Sequence, residues 1–323
     1  MMNDVLSQKK RIVFLGTPSV VVPVLNALNE VHPNYRVVAV VSQPPTRASR
    51  GQGIVPSPVH QCAELAGIPV LTPENAKAKS FIETLRSIGP DLCVTAAYGQ
   101  VLSEEFLQIP AFGTLNIHPS MLPLFRGAAP VQRALESGLQ ETGVTVAQTV
   151  RAMDAGPIVS QVKWPVNEHI KAPDLLAQLF EVGAKELLRL LPDYFSGRCV
   201  LREQEHARAT KASKISVEEG MLLPSQHGAL ALHNKVRAFA GWPGCRLKVF
   251  QEGSEIELKL ITTAVSLQKK APSNEIFFNG RFLELVCSDG TVLEILELQP
   301  PGKRAMAARD FWNGLKTKAM SWI

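Results

Sequence analysis

Asn116 and His118 stand two residues apart at the end of a short apolar run, followed by Pro119-Ser120-Met121-Leu122-Pro123. Side chains two apart on a strand share a face. An amide and an imidazole placed this way can aim two hydrogen-bond donors at one atom, which is what the oxyanion of an acyl-type transfer requires. Asp154, in Asp154-Ala155-Gly156-Pro157, is the third polar candidate. With it, a neutral amine can attack a one-carbon acyl group while Asn116 and protonated His118 hold the developing charge. Asp154 would orient the ring, support its charge and relay the amine's proton, directly or through water. Two plainer readings compete: His118 as a satisfied core residue at a proline turn, and Asp154 as the stabiliser of its own turn. No covalent nucleophile is evident, since the chain has no Gly-x-Ser-x-Gly.

The elements that must carry these residues follow from periodicity. Residues 11–15, 37–41, 91–96 and 114–118 are apolar runs rich in β-branched residues, with a shorter run at 68–71. Between them, Val20, Val21, Val24, Leu25 and Leu28 recur at helical spacing, and helices are expected over 58–66 and 81–88. Such alternation predicts a mostly parallel, Rossmann-like α/β sheet covered on both faces. Sites in such sheets sit on shaped loops at strand ends, and Pro119, Pro123, Gly127 and Pro130 shape one here. Gly16-Thr17-Pro18 is not Gly-x-Gly-x-x-Gly, which disfavours a nicotinamide-dinucleotide oxidoreductase. A helix over 131–136, strands over 143–150 and 158–162, and a helix over 173–191 striped by Leu175, Leu176, Leu179, Phe180, Leu187 and Leu188 complete the first half.

From about residue 200 the chain turns polar and aperiodic. We expect a catalytic domain over 1–200, a linker over 201–216 and a second domain over 217–323. The second domain begins with a helix over 230–239. Short β-forming runs follow at 246–250, 255–262, 275–278, 282–287 and 291–298, with Asn279-Gly280 and Asp289-Gly290 as hairpin signals. This pattern predicts a small antiparallel β-barrel of OB type.

Composition bounds the class. The 323 residues, 46% hydrophobic and 20% charged, suit two soluble globular domains. No run reaches the eighteen or so apolar residues of a membrane span. The basic cluster of residues 9–11 has no apolar segment before it, unlike a secretory signal. Five widely spaced cysteines without Cys-x-x-Cys argue for a reducing compartment and against structural zinc, with Cys93 and Cys287 as small core residues. Net charge is +5, and the second part carries most of it. Lys and Arg number 17 against 16 Asp and Glu through residue 200, and 17 against 13 beyond. A mild basic bias fits a polyanionic partner or a solvated surface equally well.

Asn116-Ile117-His118-Pro119-Ser120 with Leu122-Pro123 resembles the folate-dependent formyltransferase superfamily. Three further stretches narrow the resemblance to its methionyl-tRNA formyltransferase members, over essentially the whole chain in order. They are Arg126-Gly127-Ala128-Ala129-Pro130-Val131-Gln132-Arg133, the loop from Gln43-Pro44 through Arg50-Gly51 to Pro56-Ser57-Pro58-Val59, and a C-terminal part. The last carries Lys235-Val236-Arg237-Ala238-Phe239-Ala240-Gly241-Trp242-Pro243 and Leu298-Gln299-Pro300-Pro301-Gly302-Lys303.

The resemblance implies 10-formyltetrahydrofolate as donor, the methionyl α-amino group of initiator tRNA as acceptor, and no metal. It places the catalytic set on Asn116, His118 and Asp154. Folate binding falls on Ser120, Met121, Leu122 and Pro123, with Met121 in place of the family's Leu, a swap that keeps volume and polarity. Contacts to tRNA fall on Arg47, Arg50, Lys235, Arg237, Lys303 and Arg304. Gln52 and Gly53 stand where the family often has Lys, leaving fewer phosphate contacts in that loop. At 221–224 the chain reads Met-Leu-Leu-Pro instead of the family's usual apolar-Asp/Trp pattern. A cytoplasmic monomer is expected, with an organelle matrix or stroma as the alternative compartment. A formyltransferase for a small amine, and a non-enzymatic RNA-binding protein on the same fold, stay open as alternatives.

Overall fold

The computed structural model describes residues 9–47 and 53–323, so Arg50 and Gln52 lie outside the described residues. The chain forms two compact units from interleaved segments. One takes the chain up to Gly127, Thr142–Trp164 and Leu176–Lys211; the other takes Ala128–Glu141, Pro165–Leu175 and Ala212–Ile323.

The first unit is built on a seven-stranded sheet. In spatial order its strands are Ile158–Pro165, Glu141–Gln148, Thr114–His118, Leu92–Ala96, Lys10–Gly16, Tyr35–Val41 and Val70–Leu71. Neighbours from Thr114–His118 to Val70–Leu71 run parallel, and Glu141–Gln148 joins Thr114–His118 antiparallel. The Rossmann-like, parallel-rich expectation is therefore met.

Strand alternation explains why the central runs are apolar throughout. Ile12 and Phe14 face one core with Val40, Leu92, Val94, Leu115 and Ile117. The helices Val22–Asn29 and Pro58–Leu65, and the part of Ala172–Phe195 that carries Phe180, Leu187 and Leu191, cover that face. Val13 and Leu15 face the other core with Ala39, Val41 and Cys93, under Phe81, Ile82 and Leu85 of the helix Lys79–Ile88. Both faces being covered, Leu92–Ala96 is buried throughout, as are residues 12–16 and 39–41 beside it, and alternation with polar residues disappears there. Truncating a fully buried residue such as Phe14 would cost about 3–5 kcal/mol.

The second unit contains an antiparallel sheet ordered Ile276–Phe278, Leu283–Val286, Thr291–Gln299, Ser254–Lys269, Cys245–Gln251 and Met320–Trp322. A bridge between Glu275 and Ser321 nearly closes it into a barrel. Both hairpin signals sit at turns: Gly280 and Gly290 have φ of 93° and 76°, conformations that L side chains rarely adopt. The short strand Met320–Trp322, which pairs with Val249–Gln251, has no counterpart in the sequence reading. Cys287 is fully buried here, and Cys93 in the first unit, in line with their expected core roles.

Among the described residues no helix is long and apolar enough to cross a membrane. Nor does any group of three His, Cys, Asp or Glu among them stand where it could hold a metal ion.

Candidate active site

Asn116 and His118 lie at the C-terminal end of Thr114–His118, between a parallel neighbour and an antiparallel one. Asn116 is in register with Thr95, and the Thr95 hydroxyl donates to Asn116 Oδ1 at 2.8 Å. The amide oxygen is thereby occupied, which leaves the Nδ2 protons to act as donors.

His118 is 4% exposed. Its Nε2 is 2.9 Å from the carbonyl oxygen of Phe125. A carbonyl only accepts, so Nε2 carries the proton and donates it. The other ring nitrogen, Nδ1, faces Asp154 Oδ2 at 3.8 Å. Phe125 presents its carbonyl from a left-handed conformation, φ 58°, which is costly for a bulky residue and persists because its surroundings enforce it. Those surroundings come from Thr210. Its hydroxyl accepts from Phe125 N at 2.8 Å, its carbonyl accepts from Arg126 N at 2.9 Å, and its own N–H donates to Pro123 O at 3.3 Å.

Asp154 also has a left-handed backbone, φ 49°, a conformation Asp tolerates better than most residues. Its carboxylate does more than steady its own turn: Oδ2 accepts from the N–H of Gly127 at 2.9 Å, across 27 positions of chain. Gly156 has to be Gly for reasons of space. A Cβ there would lie 2.0 Å from the Gln148 carbonyl oxygen.

The loop after the strand is held from behind. Ser120 is fully buried and its hydroxyl donates to Leu124 O at 2.7 Å. The Thr145 hydroxyl donates to Ser120 O at 2.7 Å and accepts from Leu122 N at 3.1 Å. Leu122 is 3% exposed and packs with Ala147 and Ile158. Met121 and Pro123 are half-buried, and the peptide bond Leu122–Pro123 is cis. Met121 takes the space a side chain at Gly143 would need, since a Cβ there would meet its sulfur at 2.4 Å.

The structure thus brings His118 and Asp154 together, with Asn116 on the same strand end. The expected tRNA contacts are dispersed. Arg47 is exposed in a two-strand ribbon, Thr46–Arg47 with Ile54–Val55. Lys303 and Arg304 are exposed. Lys235 Nζ stands 3.9 Å from Glu136 Oε1 and over the Phe239 ring. Arg237 is 5% exposed, and its guanidinium donates to Asn234 Oδ1 and Asn167 O. Burial lowers its pKa from the ordinary arginine value.

Four residues of the site escaped the sequence reading: Thr95, Phe125, Gln204 and Thr210. Thr95 is invisible without strand register. Phe125 acts through its carbonyl, which no side-chain pattern reveals. Gln204 and Thr210 lie in a stretch whose composition reads as linker.

The family model for formyl transferase matches residues 10–191, and that for the formyl transferase C-terminal domain matches residues 214–316. A methionyl-tRNA formyltransferase of Methylococcus capsulatus is 39% identical over 303 residues, covering 94% of this chain and 96% of the relative. The chain belongs to the methionyl-tRNA formyltransferase family. A second such formyltransferase, from Roseiflexus castenholzii, is 38% identical over 306 residues, covering 95% and 96% of the two chains. The fold is also that of the formyltransferases. The crystal structure of WlaRD, a sugar 3N-formyl transferase solved with dTDP and 5-N-formyl-THF, superposes with a TM-score of 0.65. It is 16% identical and covers 92% of this chain and 99% of its own.

Proposed function

We propose that the protein transfers the formyl group of 10-formyltetrahydrofolate to the α-amino group of methionyl initiator tRNA, by direct attack of the amine. The observation that carries this reading is the state of His118. Its Nε2–H is committed to Phe125 O at 2.9 Å, while Nδ1 looks toward Asp154 across 3.8 Å, beyond hydrogen-bond reach. Nδ1 is therefore the nitrogen left for the reaction. Protonated there, His118 donates to the formyl oxygen as it gathers charge, and Asn116 Nδ2 donates beside it. Asp154 steadies the imidazolium and accepts the proton the amine gives up, directly or through water. As the carbonyl re-forms, the bond from the formyl carbon to N10 of the folate breaks, and N10 takes up a proton and leaves as tetrahydrofolate.

The donor supplies an electrophilic formyl carbon. Ser120, Met121, Leu122 and Pro123 are the residues that would hold it. The loop is fixed from behind by Thr145, and half-buried Met121 and Pro123 leave an apolar edge that fits the face of a folate ring system. The acceptor suits a site without a strong base. An α-amino group titrates near about 7.7–8.0 in model compounds, and esterification lowers that, so a neutral fraction is available.

For tRNA, the exposure of Arg47, Lys303 and Arg304 supports their contacting phosphates, with Arg50 as the further candidate from sequence. Lys235 and Arg237 are engaged by protein groups and carry less of the reading. The gap between the family models, 192–213, supports a chain-order division into 1–200, 201–216 and 217–323.

The test is formyl transfer from 10-formyltetrahydrofolate to charged initiator tRNA, with elongator methionyl-tRNA and a small amino sugar as competing acceptors. Transfer confined to the initiator supports the reading. Transfer to the amino sugar alone would replace it with a small-amine formyltransferase, and no turnover with any acceptor would point to a binding protein.

A further inference from the structure

We infer that Gln204, in the stretch whose composition reads as a linker, is the positioning residue that sets Asp154 for the reaction. The inference rests on the activity proposed above for this site. Gln204 is 5% exposed, and its side-chain amide is saturated. Nε2 donates to the carbonyl oxygens of Asp154 at 2.9 Å and Gly156 at 2.7 Å. Oε1 accepts from Arg126 Nε at 3.1 Å and Nη2 at 2.6 Å. Two donors and two acceptor sites are all that a glutamine amide has. The orientation is forced. Rotating the amide by half a turn would set its oxygen against two carbonyls and its nitrogen against a guanidinium, losing all four bonds at once.

The consequence reaches the reacting groups through one bond on each side. On one side Gln204 grips the backbone of the left-handed turn from which the Asp154 carboxylate projects. On the other it grips Arg126, whose next residue, Gly127, donates its N–H to Asp154 Oδ2 at 2.9 Å. Arg126 is further held by His206, Nη2 to Nδ1 at 3.0 Å. Gln204 therefore fixes both the origin of the carboxylate and the donor that aims it. Asp154 and Gly156 belong to the turn between the strands Glu141–Gln148 and Ile158–Pro165, outside the sheet ladder, and it is Gln204 that bonds their carbonyls. Glu at 204 would keep the length and the Arg126 pair but offer no donors to the two carbonyls. A misplacement on the order of 1 Å near reacting groups lowers rate by up to about 100-fold.

The test compares the whole protein with its Gln204→Glu variant. We expect kcat to fall about 10- to 100-fold with the KM of both substrates within about twofold. In an Asp154→Asn background the same change should lower kcat by less than about twofold, since the group it positions has gone. Without substrate, the Gly127 amide resonance should shift and its hydrogen exchange quicken, because its acceptor has moved. That last reading needs no turnover, so a wild-type protein that transfers no formyl group would sink the proposed activity and leave this measurement standing. If Gln204→Glu does not fold, Gln204→Met, of equal length and without polar atoms, takes its place with the same expectations. An unchanged kcat, a loss that multiplies in full with Asp154→Asn, or an unmoved Gly127 amide would each overturn the inference.

Discussion

His118 Nδ1 and Asp154 Oδ2 face each other at 3.8 Å, while the opposite ring nitrogen is held by Phe125 O at 2.9 Å. The pair is aligned without being hydrogen-bonded, and the one nitrogen free to work is the one that looks at the carboxylate. Asp154→Asn keeps an oxygen for the Gly127 N–H and nearly the same volume, so the fold should be intact. It removes the negative charge, and kcat should fall about 10²- to 10⁴-fold. A steady-state comparison, with thermal unfolding as the control, checks this. Near-normal kcat in a folded Asp154→Asn protein would remove Asp154 from the chemistry.

Thr95 holds Asn116 by its amide oxygen at 2.8 Å. Thr95→Val deletes that donor while keeping the branched shape, so Asn116 is free to turn its oxygen toward the site. The expected loss is about tenfold in kcat with little change in KM, and Thr95→Ser should restore most of it. Equal activity for Val and Ser at this position would show that Asn116 needs no such support.

Gly156 approaches the backbone too closely for any side chain. A Cβ would lie 2.0 Å from Gln148 O and 2.9 Å from Gln148 C, neither of which is a flexible side-chain end. Gly156→Ala should destabilise the protein by about 1–3 kcal/mol through forced backbone movement, and lower kcat because Asp154 shares the turn. Urea denaturation reads the first effect and the formylation assay the second. An unaltered denaturation midpoint would mean that the turn yields freely.

These cases show what sequence can and cannot carry. The central strands were legible because burial on both faces demands unbroken β-branched runs, as in Val37-Val38-Ala39-Val40-Val41. Asn116 and His118 were legible because their spacing is local and strands alternate with period two. Asp154 needed its partners, since alone it is an ordinary turn residue. Thr95 was illegible: its meaning lies in a register with Asn116 that only the folded sheet supplies. Gln204 was illegible for the opposite reason. Its neighbours Glu203, Glu205 and His206 are polar and aperiodic, so the stretch has the composition of free chain, yet its two carbonyl partners sit about 50 positions earlier. Met320–Trp322 was missed because three residues show no period.

His233, in the second unit, links stability to pH. It is 6% exposed, with Nε2 donating to Glu168 O at 3.0 Å and Nδ1 accepting from the Thr263 hydroxyl at 2.9 Å. Burial lowers its pKa from the ordinary 6.5, with Arg237 and His169 acting in the same direction, against the Glu168 carbonyl bond and charge. Because the folded value is the lower one, this contribution is complete above about pH 6.5 and lost as pH falls through the folded pKa. The melting temperature should therefore drop between about pH 7.5 and pH 5.5. In His233→Gln that drop should be smaller. The same pH slope in both proteins would rule His233 out as its source.

The central claim is tested most directly by single-turnover formyl transfer from 10-formyltetrahydrofolate to methionyl initiator tRNA, comparing the wild-type protein with Asn116→Ala, His118→Ala and Asp154→Ala. The account predicts rapid transfer by the wild type, with each variant folded, still able to bind tRNA and slowed by at least about 100-fold. Wild-type-like transfer by all three variants would contradict it.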